Sequence, residues 1–411
     1  MRGRLTEYFT GTASKILSAV ETGRSERHHQ HEFNGVSPLK AMFGEEKQVF
    51  ETTFMYFGDG EDDVKQGAGT MTWYDSRAAH PTRSEYRLYF STDFIPDHAQ
   101  PGDVMIMGLR PDGSVLVIVC AQHSNHARLF LWLFGMEQLG DRFAFRDEEA
   151  TGNIAVAPAM QLVLSQLGID TKPPVDAALL ETMLQRFGGE FPSTRVFSAF
   201  ARETLPESIS LDDPDMALTS WIAHEERLFR TLERHIVSQR IDKGFTGENR
   251  VDDFVAYSLH VQNRRKARAG SALENHMEYL LGQRRVRFER GAVTEGRAKP
   301  DFLFPGAREY HDTDFPVERL TMLGSKTSAK DRWRQILAEA ARIPVKHLLT
   351  LQPDITTHQF DEMHTHRVVP VIPQGIREGY SPNLRAESIS VGEFVEYVLK
   401  RQAVKANTPI V

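Results

Sequence analysis

Two Pro- and Gly-bearing interruptions, Thr171-Lys-Pro-Pro-Val-Asp176 and Phe187-Gly-Gly-Glu-Phe-Pro-Ser193, separate stretches of different periodicity in this 411-residue chain. A single core does not run through such a break, and about 150 residues per domain also predicts more than one domain. Before the break, Met71 to Asp75, Tyr86 to Thr92, Val104 to Leu109, Ser114 to Ala121 and Arg128 to Phe134 are short runs rich in Val, Ile and aromatic residues. They read as strands, with Arg110-Pro-Asp-Gly-Ser114 as one hairpin turn. After the break the period becomes helical over Leu218 to Ile241, stopped by Lys243-Gly244, and again over Val251 to Gln262 and Leu273 to Leu281. Phe302 to Phe304, Leu320 to Leu323, His347 to Leu351 and Arg367 to Ile372 are candidate strands among those helices. The expected organisation is a mainly β domain over 1–170, a linker over 171–192 and a mixed α/β domain over 193–411.

Composition sets the outer limits. With 40% apolar and 26% charged residues the chain is of the globular class. Its apolar runs, such as Val115 to Ala121, are far shorter than the roughly 18 residues of a membrane span. No apolar stretch follows the basic residues of Met1-Arg-Gly-Arg4, so a cytoplasmic protein without a membrane partner is expected. Cys120 is the sole cysteine, which excludes an internal disulfide and multi-cysteine metal sites. The net charge of −7 hides an asymmetry: between Arg264 and Pro300 ten Lys and Arg face four Glu, a local +6. Arg264, Arg265, Lys266 and Arg268 head that run, which suits a polyanion backbone as well as an ordinary solvated helix face.

Phosphodiester hydrolysis in duplex DNA calls for a divalent metal, carboxylates to hold it and often a lysine beside the attacking water. Pro-Asp occurs five times in the chain and by itself says nothing. Only Asp301 precedes a short apolar strand that is followed, after one excursion, by a second strand ending in lysine, Leu320-Thr-Met-Leu-Gly-Ser-Lys326. The usual nuclease signature has an acid two residues before that lysine, where this chain has Gly324. Glu339, on a helix expected from Lys330 to Ala341 with Thr327 or Ser328 as its cap, can fill the same metal position from a different backbone origin. Asp301 and Glu339 are then the metal ligands and Lys326 the catalytic lysine, with Glu274 a fourth acid that could equally be a solvated helical residue.

Four segments carry a family resemblance: Asn263 to Glu274, Thr294 to Pro305, Tyr310 to Glu318 and Ser325 to Leu337. From about Phe191 onward the chain resembles the EcoRII-like type II (type IIE) restriction endonucleases of the PD-(D/E)XK superfamily, in the variant with a displaced acid. The resemblance implies an α/β endonuclease domain, a homodimer that depends on Mg²⁺, and double-stranded DNA as partner. It places Asp301, Lys326 and Glu339 in the active site with Glu274 as an additional acid. Tyr310 and Lys266 match positions linked to activity, although a structural role fits each equally. A CCWGG-like site, a prokaryotic cytoplasm and a cognate DNA methyltransferase that forms no stable complex are further implications.

Lys330-Asp331-Arg332 sets two donors around an acceptor at a helix start, a set that suits guanine and cytosine edges in the major groove and also an exposed first turn. Arg83, Glu85 and Arg87 repeat this alphabet at the period of a strand, where it also suits a plain exposed sheet face. Lys15 to Arg24, His29-Gln30 and Tyr74 to Arg77 with Thr82 to Glu85 resemble, more patchily, the effector domain of the same family. That likeness implies a DNA-binding pseudobarrel with arms near Arg24, His29 and Gln30 and near Arg77 to Arg87, and a second, effector copy of DNA that relieves autoinhibition. Two other classes stay open: a DNA-binding regulatory protein whose nuclease core does not cut, and a related nuclease acting on modified or structured DNA. His28-His-Gln-His31 and His364-Thr-His366 have no second ligand cluster and are not expected to bind metal.

Overall fold

A computed structural model of the chain describes residues 3–4, 9–23, 31–34, 36–58, 63–80, 82–136, 140, 142–147, 155–156, 162, 164, 177–205 and 209–403. It divides into two compact units, residues 2–156 and residues 157–378 with 382–411.

The first unit is rich in sheet. Its strands, in chain order, are β1 (Gly3–Arg4), β2 (Gly11–Ile16), β3 (Glu32–Phe33), β4 (Gln48–Phe57), β5 (Val64–Asp75), β6 (Tyr86–Phe90), β7 (Val104–Leu109), β8 (Val115–Cys120), β9 (Ala144–Asp147) and β10 (Ala155–Val156). Eight of them form one sheet in the order β3-β6-β5-β4-β8-β7-β2-β9, antiparallel throughout except where β4 runs parallel to β8. Phe54, Met71, Trp73, Leu88, Phe90, Met105, Val117 and Val119 point into its core. The expected turn at Arg110 joins β7 to β8: Arg110 N–H donates to the Ser114 carbonyl, and Gly113 takes φ +81°, which a side chain would oppose.

One expected strand is wrong. Arg128 to Leu133 lies in helix α1 (Asn125–Leu133), with Phe134 as its C-cap, and the helix starts where the Ser124 hydroxyl accepts the Ala127 N–H at 3.0 Å. Its buried residues, His126, Ala127, Leu129, Phe130 and Leu133, recur at helical spacing, and that periodicity outweighs the strand-like composition.

The second unit includes α2 (Ala177–Phe187) and α3 (Thr194–Glu203). Met183, Phe197 and Phe200 bury against Leu228, Phe229 and Leu232 of α4 (Pro214–Lys243), and Leu180, Leu184 and Phe187 pack alongside. The stretch between the two sequence interruptions is thus a helix docked on this unit. Asp213 caps α4 through the Met216 N–H, Pro214 sits in its first turn and Gly244 ends it at φ +69°. The two helices expected at 251–262 and 273–281 are a single one, α5 (Arg250–Gln283). The Arg-, Lys- and Ala-rich run between them contains good helix formers and no proline, so nothing interrupts the backbone ladder.

A five-stranded sheet follows, β11 (Glu289–Arg290), β12 (Phe302–Phe304), β13 (Thr321–Ser325), β14 (Lys346–Leu349) and β15 (Val368–Val371), ordered as numbered. The first three strands are antiparallel; β13, β14 and β15 are parallel and almost wholly buried, as parallel strands covered on both faces must be. A 3-10 segment, Lys330–Ala338, makes the first crossover and α6 (Thr357–Thr365) the second. The last helix, α7 (Val391–Ala403), is pinned at its start by Asp215, whose carboxylate accepts the Val391 and Gly392 N–H groups at 2.8 Å. No helix among the described residues is long and apolar enough to cross a membrane.

Candidate active site

Parallel strands often carry sites beyond their carboxyl ends, and the residues singled out in the sequence meet at that end of β13. Lys326 follows its last residue and is held there by its own N–H donating to the Leu349 carbonyl of β14 at 2.9 Å. Asp301 precedes β12, and the antiparallel register that pairs Phe302 with Leu323 sets it beside the same strand end. Its Oδ2 accepts from Lys326 Nζ at 2.9 Å and from the Ser325 backbone N–H at 2.7 Å.

Glu339 reaches these two from the crossover, by a route that differs from the expected one. The segment from Lys330 is 3-10 rather than α-helical, neither Thr327 nor Ser328 caps it, and it ends at Ala338. Glu339 is the extended residue after it, at φ −90° and ψ 144°. Ala340 then takes φ +48°, a left-handed conformation that a continuing helix cannot contain. Burial and the neighbouring Asp301 charge push the Glu339 carboxyl up to about 7, against the opposing pull of Lys326 and Lys346. Its Oε2 is buried and has no hydrogen-bond partner among the described residues.

Gly324 occupies the place of the usual acid, and Ile336 of the 3-10 segment packs directly on it. Glu274 of α5 is in an ion pair with Arg290 at 2.5 Å, and Arg290 also holds Glu278 at 2.6 Å and the Asn275 side chain at 2.9 Å. Arg290 sits on β11 opposite Phe302, one step from Asp301. Tyr310 is buried, and its hydroxyl donates to the Glu295 carboxylate at 2.6 Å and accepts the Arg342 N–H. Burial and Glu295 push that phenol up to about 12.

Lys330 and Arg332 are exposed at the start of the crossover segment, and the Asp331 side chain lies outside the described residues. Gln352, which sequence reasoning missed, fixes this start: its side-chain oxygen accepts from the Lys330 N–H at 3.0 Å and the Ser328 hydroxyl at 3.2 Å.

The basic run on α5 is partly internal. Arg268 is a correction: its guanidinium is buried over the Phe197 ring and pairs with Glu225 at 3.1 Å, so it does not face an exposed polyanion surface. Arg265 pairs with Glu233 at 2.7 Å, Arg264 lies against His260 and Phe191, and Lys266 is exposed.

In the first unit, Arg83 and Glu85 precede β6, so the expected three-residue strand face is not formed and only Arg87 is on a strand. The Asp75 carboxylate causes this by accepting the Arg77 and Glu85 N–H groups, which closes the chain into a loop. Glu85 nonetheless bridges Arg77 at 2.6 Å and Arg87 at 3.3 Å, and Arg87 also reaches Glu32 at 3.2 Å. Arg83 is exposed. Arg24, His29 and Gln30 lie outside the described residues.

Comparison with known proteins gives the following similarities. Residues 229–395 match the family model described as EcoRII C terminal. Over 184 residues the chain is 46% identical to the type II restriction enzyme EcoRII of Escherichia coli. The matched stretch spans 44% of this chain and 45% of that enzyme, under half the length of the relative. Among solved structures, metal-depleted Ecl18kI in complex with uncleaved, modified DNA aligns over 57% of this chain and 86% of its own at a TM-score of 0.42 and 15% identity. A restriction endonuclease PspGI–substrate DNA complex aligns over 56% and 93% at 0.38 and 14%. At such scores these two likenesses carry no argument. Residues 229–395 are thus similar to the C-terminal domain of the EcoRII family.

Proposed function

We propose that the protein is a site-specific double-stranded DNA endonuclease of the type II restriction class. The observation that carries this reading is the meeting of Asp301, Lys326 and Glu339 at the end of β13, with one Glu339 oxygen buried and without a hydrogen-bond partner among the described residues. The donor set fits Mg²⁺, a hard cation that commonly takes one or two protein carboxylates and completes its shell with water and phosphate oxygens. Among the described residues no group of three or more His, Cys, Asp or Glu could hold a metal ion, and Asp301 and Glu339 would supply two carboxylates to one. Bound there, the ion supplies charge neutralisation at the scissile phosphate and an acidified water.

The chain's own groups account for the rest. Lys326 gives one of its three ammonium donors to Asp301, leaving others to orient the attacking water or a phosphate oxygen. Burial and the Asp301 charge raise the Glu339 carboxyl, and as a ligand it would have to be in its carboxylate form. Lys330, Asp331 and Arg332 read base edges, with a CCWGG-like site as the expected sequence. Lys266 and Arg264 are the remaining candidates on α5 for phosphate contact, with Arg265 already committed to Glu233.

The first unit, read as an effector-binding pseudobarrel, uses Arg77, Glu85 and Arg87 on a second DNA copy, and the working form is a homodimer in a prokaryotic cytoplasm beside its methyltransferase. Effector DNA relieves autoinhibition only by binding the released state better than the blocked one. A single-site substrate is then cut slowly, faster with a short site-bearing duplex in trans, and fast without help by a chain starting near residue 177. That start keeps α2, whose Met183 belongs to the core of the second unit. The deciding experiment is incubation with a phage genome in Mg²⁺ and mapping of the ends. Fixed ends support the reading, binding without cutting points to a regulatory protein, and cuts without a fixed sequence point to a nuclease of structured or modified DNA.

A further inference from the structure

The chain after Glu339 is gripped from two sides, and neither grip uses a residue that would touch metal or DNA. From one side Lys346, the buried first residue of β14, turns its ammonium onto the backbone: it donates to the carbonyl of Glu339, to that of Ala340 at 3.1 Å and to that of Ile343 at 3.4 Å. A lysine whose donors converge on three carbonyls of one turn acts as a fixed peg, because the charge is buried and satisfied by that turn. From the other side the Thr294–Glu295 segment takes the N–H groups. The Thr294 hydroxyl accepts from Ala340 N–H at 3.3 Å, and the Glu295 carboxylate accepts from Ala341 N–H at 3.1 Å. Tyr310, itself donating to Glu295, accepts from Arg342 N–H at 3.2 Å.

Between the two grips lies Ala340 at φ +48°, a conformation that a non-glycine residue keeps only where its surroundings over-determine it. The strained residue directly follows the carboxylate that stands in for the missing strand acid. We propose that Lys346 and Glu295 are positioning residues that together hold the Glu339 carboxylate toward Asp301 and Lys326. The proposal rests on the reading of Glu339 as the displaced acid of the endonuclease site. It also gives Tyr310 a role that is neither direct catalysis nor general stability: Tyr310 orients Glu295, and Glu295 orients the turn.

The experiment uses the full chain and three variants, Lys346→Met, Lys346→Arg and Glu295→Gln. Folding is checked by thermal melting, and three quantities are read: the Mg²⁺ concentration for half-maximal cleavage, Mn²⁺ bound by the DNA-free protein in paramagnetic resonance, and affinity for site-bearing duplex. Groups that orient metal ligands commonly change metal affinity or activity by about 10- to 100-fold when removed. Lys346→Met is expected to raise both metal concentrations within that range while duplex affinity stays put, with Lys346→Arg recovering part of the loss. Glu295→Gln should move the same two readouts from the opposite side, and it carries the test alone should Lys346→Met not fold.

Folded variants with wild-type metal binding and wild-type Mg²⁺ dependence overturn the proposal. A Glu339→Ala control separates the two layers. If that control binds metal and cuts normally, the displaced-acid reading has failed. If it is inactive while Lys346→Met and Glu295→Gln are unaffected, only the positioning claim has failed.

Discussion

A Cβ built at Gly324 would lie 2.6 Å from Cγ2 of Ile336. The residue that denies a side chain to the strand therefore belongs to the crossover segment that ends at Glu339. On the proposed reading of Glu339, absence of the usual acid and presence of a displaced one are linked by packing, since a side chain at 324 would press on Ile336 of the segment that presents the substitute.

It follows that Gly324→Asp does not rescue Glu339→Ala. The inserted side chain meets Ile336, and overpacking of this kind lowers stability by about 1–3 kcal/mol. Urea unfolding of Gly324→Asp and cleavage by the double variant check both halves; near wild-type cutting by Gly324→Asp/Glu339→Ala would show that the strand acid and the displaced acid are interchangeable here.

Glu339 also makes stability depend on pH. Its carboxyl sits at about 7 in the folded protein, above the ordinary value of 4.5. Between those two pH values the folded state keeps a proton that the unfolded chain has lost, so stability falls as pH rises through the window and stays lowered above it. Glu339→Gln removes this slope. At pH 8 in metal-free buffer it should exceed the parent in stability by about 1–2 kcal/mol, the shift being discounted for the partial exposure of the carboxyl, and at pH 4.5 the two should match. Denaturation at the two pH values decides, and equal stability at pH 8 would mean that the carboxyl is not held in a buried, acid-flanked place.

Arg268 and Lys266 separate structure from DNA contact on one helix. Arg268→Ala removes one of two partners of the buried Glu225 and leaves it His276 at 2.9 Å, so it should lose stability, by less than the roughly 3–5 kcal/mol of a buried pair broken outright. Lys266→Ala should leave stability nearly unchanged while lowering the salt slope of DNA binding by about 1. Melting curves and binding isotherms at several salt concentrations read both; a stable Arg268→Ala with a reduced salt slope would return Arg268 to the DNA surface.

Base reading makes a separate claim. Asp331→Ala should lose about 1–3 kcal/mol of discrimination at one base pair. Gln352→Ala, which frees the Lys330 N–H and the Ser328 hydroxyl from their shared acceptor, should weaken discrimination across the positions read by that segment. Competition binding with single-base variants of the mapped site distinguishes one lost contact from a loosened segment.

Much of the second unit was legible in the sequence because its signals are local. Gly244 ends α4 where expected, although Asp213 and Pro214 start it four residues before Leu218, and Asp301 and Lys326 stand next to short apolar strands. What was hidden depends on distant partners. Arg268 looks like the arginines around it until Glu225, 43 positions earlier in the chain, arrives beneath it. Arg83 and Glu85 have strand spacing, yet two backbone bonds to Asp75 make their segment a loop. Arg128 to Phe134 has strand composition and helical spacing, and the Ser124 cap decides for the helix. Lys346 carried no motif at all, because its meaning lies in three carbonyls that meet only after folding.

The central claim is that Asp301, Lys326 and Glu339 form a metal-dependent endonuclease site, and end-mapping on phage DNA tests it most directly. The full chain in Mg²⁺ should produce fixed ends at one short CC/GG-flanked sequence, with none in chelator and none from Glu339→Ala or Asp301→Ala, both of which still bind site-bearing duplex. Intact DNA after incubation of the folded, DNA-bound wild-type chain with Mg²⁺ and effector duplex would contradict it, as would undiminished cutting by Glu339→Ala.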